Sequence, residues 1–245
     1  MEINVNIGVF QLGVNMKVAL CLSGIVGGTN GKNGRGDDID FALCSDCYKE
    51  YVIEPNNCDV FLHSWSVEHE ERLIDLYKPK SWIFEPQIDF YAGLDEEIVE
   101  KARQNKHRFQ SKWYSVVQSL LLMKEYGKYD CVIISRFDLM FLETLDISKF
   151  NLNYIYTPGY AGTRENPGYK HALGDLFFIS SYNNIMKLVL NKPKRWFYDS
   201  GPNPHKAIFA RVENVFDSAR RILKVYGWTG YEWELYRKRI CKRKQ

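Results

Sequence analysis

A cation and a carboxylate two residues apart, Arg136 and Asp138, interrupt the otherwise apolar stretch YDCVIISRFDLMF. A carboxylate here can ligate Mg²⁺ or Mn²⁺, and the metal would neutralise a leaving diphosphate. A guanidinium can take phosphate on its bidentate fork. The pair can also be an ion pair that closes a strand. Other polar groups stand at the ends of apolar runs: Ser23 with Gly24, His63 with Trp65, and Asp175. Trp65 could stack on a base and His63 could hydrogen-bond one, unless the histidine is structural. Asp175 could act as general base for an acceptor hydroxyl, or cap the start of a strand.

Strands must deliver these groups. KVALCLS (Lys17–Ser23), CDVFL (Cys58–Leu62) and CVIIS (Cys131–Ser135) are short apolar runs, as expected of strands buried on both faces. SWIF (Ser81–Phe84), YIYT within Ile147–Tyr156 and DLFFIS (Asp175–Ser180) add strands, and Ile3–Val9 alternates as an edge strand or hairpin. Between them the pattern predicts helices over Ile39–Ile53, Val67–Tyr77, Leu94–Lys106, Phe109–Tyr126, Asn183–Leu190 and Ile208–Val225. Asp37 or Asp38 is the expected N-cap of the first, and Gly127 closes the fourth. Strands alternating with helices argue for an α/β fold with a mostly parallel sheet. In such a sheet Ser23, His63 and Asp138 share the C-terminal edge, where ligands bind.

Composition narrows the classes. The chain has 245 residues, 45% hydrophobic and 15% aromatic, enough for a packed core. Its 33 basic and 30 acidic residues nearly balance, and much of the excess lies in the terminal RKRICKRKQ. That does not support a nucleic-acid protein as a whole. The tail reads as solvated, or as a weak attraction to anionic membrane. No apolar run reaches the roughly eighteen residues of a membrane span. VALCLSGIVGG has the look of a signal peptide but reads as a buried strand leading into a loop. The six cysteines fit a reducing cytoplasm. Cys44-x-x-Cys47 has no second such pair and reads as part of a helix. The loop SGIVGGTNGKNGRG fails as a P-loop, because Asn33 follows Lys32 and Val26 replaces the first glycine. It reads as a surface loop, or as a lid bringing Lys32 or Arg35 near a diphosphate. The loops at 158–170 and 199–205 and the residues beside them carry Arg164, Glu165, His171, Asp199 and His205, with no spacing that selects among them. Tyr154, Tyr156, Tyr160, Tyr169, Trp196 and Tyr198 could form a sugar-stacking surface or ordinary core.

In order and spacing, ALCLSG, CDVFLHSW, LYKPKSWIFEPQ, RFQSKWYSVVQSLLLMKEY, YDCVIISRFDLMF and GDLFFISS resemble small GT-A-type glycosyltransferases of large DNA viruses, phages and bacteria. The resemblance runs from about Lys17 to Leu190 and implies a GT-A-like, Rossmann-like three-layer sandwich in a single domain. Residues 1–15 would be an extension, about 17–142 a nucleotide-sugar half, about 143–236 an acceptor half and 237–245 a basic tail. It implies a UDP-sugar donor first and a GDP-sugar second, with a hexosyl or pentosyl group passed to a glycan or glycoprotein. The donor would lie against Ser23, Gly24, His63, Trp65, Arg108, Gln110, Arg136 and Asp138. An R-x-D motif would replace D-x-D, so that Asp138 holds Mn²⁺ or Mg²⁺, and Asp175 would face the acceptor. The setting would be cytoplasmic, in the host cytoplasm if viral. Close relatives have a short turn after the first strand, whereas this loop is long. Two readings from other classes remain: a non-catalytic carbohydrate- or nucleotide-binding module of the same fold, and a nucleotide kinase.

Overall fold

Strand β1 (Val18–Gly24) is apolar on both faces because each face meets a layer of helices. The computed structural model describes residues 16–27, 39–90, 106–157, 176–190, 223–225 and 233–235. Within them β1 is flanked by β2 (Asp59–Ser64) and β4 (Cys131–Arg136), both parallel to it. Strand β3 (Ser81–Phe84) pairs parallel outside β2. On the other side, β7 (Phe178–Ser181) runs antiparallel to β4, followed by β6 (Ile155–Thr157) and β8 (Leu223–Val225). The order is β3-β2-β1-β4-β7-β6-β8, a mostly parallel, mixed, Rossmann-like sheet. A ribbon of β5 (Leu139–Phe141) and β9 (Trp233–Leu235) stands apart, so the chain leaves the sheet directly after Asp138.

Side chains alternate across the sheet, as pleating requires. Val18, Leu20 and Leu22 enter a core with α1 (Phe41–Tyr48) and α3 (Glu70–Tyr77). Ala19 and Cys21 enter a second core with α4 (Lys106–Glu125) and α5 (Tyr182–Val189). Val132 and Ile134 of β4 share that second core, and Cys131 and Ile133 the first. The result is three layers, helix on sheet on helix. Each fully buried Leu or Ile in them contributes roughly 1.5–3 kcal/mol over an exposed one. Among the described residues no helix is long and apolar enough to cross a membrane.

Several local expectations shift. Helix α1 is capped by Asp40, whose carboxylate accepts from the Leu43 N–H at 3.1 Å, and not by Asp37 or Asp38. One residue earlier, the Ile39 N–H donates to the Val26 carbonyl at 2.8 Å. The helix continues as a π-helical stretch, Lys49–Ile53, and a short turn α2 (Glu54–Asn56). Residues 223–225, expected to end a helix, form β8 instead, because β6 offers them an open edge. Strand β7 starts at Phe178, not at Asp175. Gly127 follows α4 with φ +97°, the left-handed conformation that a closing glycine supplies. The strand expected at Ile3–Val9, the loop beyond Gly27, the helix expected from Leu94, the loops at 158–170 and 199–205, Asp175 and the basic tail lie outside the described residues.

Candidate functional site

Ser23 pairs in register with His63 of β2 and with Arg136 of β4, so the three stand level at the C-terminal edge of three parallel strands. Alternation puts them on one face. Ser23 follows Ala19 and Cys21, His63 follows Phe61, and Arg136 follows Val132 and Ile134, all in the core beneath α4. Helix α4 runs back along the sheet before feeding β4, which brings its N-terminal half to this edge. Ser115 of α4 there meets His63. Chain connections leave β1 toward β2 and leave β4 toward the other side, so Ser23 and Arg136 flank a topological switch point. Open α/β sheets bind ligands in that crevice.

His63 is fully buried, with Nδ1 2.7 Å from Ser115 Oγ and Nε2 2.9 Å from Glu85 Oε1. A carboxylate only accepts, so the network assigns the ring proton to Nε2 and has Ser115 donate to Nδ1. Tyr114 also bonds Glu85, and burial together with that carboxylate pushes its phenol up. Both ring nitrogens are thus engaged, and the hydrogen bond to a base expected of His63 is not the role this geometry gives it. Trp65 lies edge-on to His63 and stacks on Tyr114 at 5.2 Å, with 6% exposure, so one indole face is already covered.

Burial lowers the pKa of His63, outweighing the Glu85 carboxylate that acts to raise it. The sign follows from linkage. Below about pH 6.5 the unfolded chain takes up a proton that the folded chain still refuses. Stability from this group is complete above that pH and falls as pH drops toward the lower folded value. Urea midpoints should therefore decline from pH 7 to pH 5, and His63→Gln should flatten that part of the profile.

Arg136 grips Asp138 through two hydrogen bonds, Nε to Oδ1 at 2.7 Å and Nη2 to Oδ2 at 2.6 Å. The carboxylate side chain is fully buried and the guanidinium side chain 19% exposed. Tyr48 of α1 fixes the backbone here. Its one hydroxyl proton goes to the Arg136 carbonyl at 2.7 Å, so Ser135 Oγ, 2.6 Å away, donates to Tyr48. Phe137, between the two charged residues, is buried against Tyr77. The arrangement does not fit the metal ligand expected of Asp138. Both carboxylate oxygens carry guanidinium protons, a fixed positive charge adjoins them, and no group of three or more His, Cys, Asp or Glu suited to a metal exists among the described residues.

The start of the glycine-rich loop is anchored. Gly24 adopts φ +125°, which strains any other residue, and its carbonyl accepts from the Trp65 N–H at 3.2 Å. Ser66 Oγ accepts from the N–H groups of Val26 and Gly27 and donates to the Gly27 carbonyl. Ser23 is 4% exposed, with Oγ 3.5 Å from the Ser135 carbonyl. Arg108 lies in the first turn of α4. Gln110 follows, 3% exposed, and its Oε1 has no hydrogen-bond partner among the described residues. Trp65 Nε1 shares that condition. A buried acceptor and a buried donor without partners each cost about 1–3 kcal/mol, and a ligand bearing the opposite groups relieves that cost.

Glu85, Ser115, Tyr114 and Tyr48 were not among the residues singled out by sequence. Two signals were available. Glu85 directly follows a parallel strand, as Ser23 and His63 end theirs. Ser111, Ser115 and Ser119 recur every fourth residue along α4 and are all buried, marking a face that meets something polar or closely packed.

No family model and no curated protein sequence matches the chain. Among solved structures it is similar to a cytidylyltransferase from Leptospira borgpetersenii serovar Hardjo-bovis (strain JB197), at 14% identity and a TM-score of 0.44, over 86% of this chain and 76% of that one.

Proposed function

We propose that the chain is a glycosyltransferase that takes a sugar from a nucleotide-sugar donor, UDP-linked first and GDP-linked second, and passes it to a glycan or glycoprotein hydroxyl. The observation that carries this reading is the row Ser23, His63 and Arg136 at the switch point of a mostly parallel sheet. There the crevice combines a fixed cation, a helix N-terminus, and buried Trp65 and Gln110 groups that lack partners among the described residues. Those features suit a ligand with an anionic centre and polar edges, which a nucleoside diphosphate sugar has. The resemblance of R-x-D and its flanking motifs to the viral and bacterial enzymes supports the same class. In this reading Asp175 serves the acceptor side.

A thermal-shift panel tests it. A bound ligand at 100 times its Kd adds about 2.7 kcal/mol. Stabilisation by a UDP- or GDP-sugar, with slow release of free sugar from that donor, is the expected result. Binding with no sugar release would make the chain a binding module, and a response to ATP alone would make it a kinase.

A further inference from the structure

We infer that Arg136, held in place by Asp138, is itself the diphosphate site, and that it takes the anion without a divalent cation. This rests on the donor reading above and specifies how that donor would be held. The two partners differ in burial: Asp138 is fully buried, whereas 19% of the Arg136 side chain is exposed. Of the two charged groups only the guanidinium has surface open to solvent, and the carboxylate has none. An ion seeking Asp138 would have to strip Arg136 from both oxygens, where it sits at 2.6–2.7 Å. The same two bonds fix the plane of the guanidinium, and Tyr48 fixes its backbone carbonyl. A pre-oriented guanidinium loses little freedom when it binds a planar pair of oxygens. It also stands level with Ser23 at the C-terminal edge of the parallel strands. Asp138 is then a positioning residue that acts through Arg136.

The test is calorimetry on the full chain with three probes, UDP, uridine and inorganic pyrophosphate, each in EDTA and in Mn²⁺. UDP should bind in EDTA within about threefold of its Mn²⁺ affinity. Uridine should bind about tenfold or more weakly than UDP, since it lacks the charged contacts. Arg136→Lys keeps a cation but loses the fork. It should weaken UDP about tenfold while leaving uridine unchanged. Asp138→Asn should weaken UDP equally in both buffers, whereas a metal ligand would lose only the Mn²⁺-dependent part. UDP binding that appears only with Mn²⁺, or UDP no tighter than uridine, overturns the inference and leaves the donor reading standing. Pyrophosphate that binds in EDTA and depends on Arg136, with no nucleotide or nucleotide sugar bound, keeps the anion site and removes the donor reading. No binding by any probe removes both.

Discussion

Arg136→Met should destabilise the fold more than Asp138→Ala, and combining the two should recover much of the loss. Removing one partner of a buried ion pair typically costs about 3–5 kcal/mol, because the other charge stays in a medium that solvates it poorly. The two partners here are not equally buried. Asp138 has no exposed surface, whereas Arg136 keeps 19%. Without its guanidinium the fully buried carboxylate loses two charge-assisted hydrogen bonds and gains no exposed surface to offset them. Without its carboxylate the guanidinium can swing toward the crevice and rehydrate. The arginine variant should therefore reach the full range of about 3–5 kcal/mol and the aspartate variant fall below it. In the double variant neither charge remains, and apolar replacement of such a pair is often near neutral. Urea melts of the two single variants and the double variant decide this. A coupling energy above about 1 kcal/mol is expected, and additivity within about 0.5 kcal/mol would mean the contact contributes nothing in solution.

That asymmetry also separates what was legible in the sequence from what was not. Strands β1, β2 and β4 are readable because burial on both faces demands continuous apolar runs, and parallel connection places their ends on one edge. Hence the sequence alone places Ser23, His63 and the start of the R-x-D motif together. The partners of those residues cannot be placed in the same way. Whether Asp138 faces a metal or folds back onto Arg136 depends on a turn of two residues, Phe137 and Asp138, whose conformation is fixed by packing of Phe137 against Tyr77. Tyr77 lies sixty residues earlier, at the end of α3. Likewise Glu85 and Ser115 reach His63 from positions 22 and 52 residues later in the chain. Periodicity carries no information about such pairings. Strand β8 departs from the expected helix for a related reason: a short segment with helical spacing becomes a strand when an open edge such as β6 accepts it.

His63 and Arg136 occupy the same edge but serve it differently. The imidazole is closed off, its two nitrogens bound and its charge disfavoured by burial. It fixes α4 to β2 through Ser115 and orients Glu85, which retains 30% exposure of its side chain. The polar group that this network presents outward is thus Glu85 rather than His63. Glu85 follows β3 and Arg136 ends β4, so the two stand on either side of β2 and β1 along this edge.

Trp113→Ala is expected to lower stability by about 3–5 kcal/mol, the cost of deleting a fully buried large aromatic side chain and leaving a cavity. Trp113 is 1% exposed and packs with Val116 and Leu120 of α4 against Ala19, Cys21 and Phe178 of the sheet. It lies two residues before Ser115, so the same turn of helix that fills the core carries the contact to His63. Loss of the indole should loosen that turn as well as empty its own space. For a chain of this size the stability change corresponds to roughly 6–20 °C in Tm. Trp113→Phe, which keeps an aromatic ring in the cavity, should recover more than half of the loss. A second measurement separates packing from position: the decline in stability between pH 7 and pH 5 depends on His63 staying buried. If α4 seats His63, Trp113→Ala should shrink that decline along with the midpoint, and Trp113→Phe should restore it. A variant that loses the full stability yet keeps the wild-type pH profile would show that the core and the polar network are held independently.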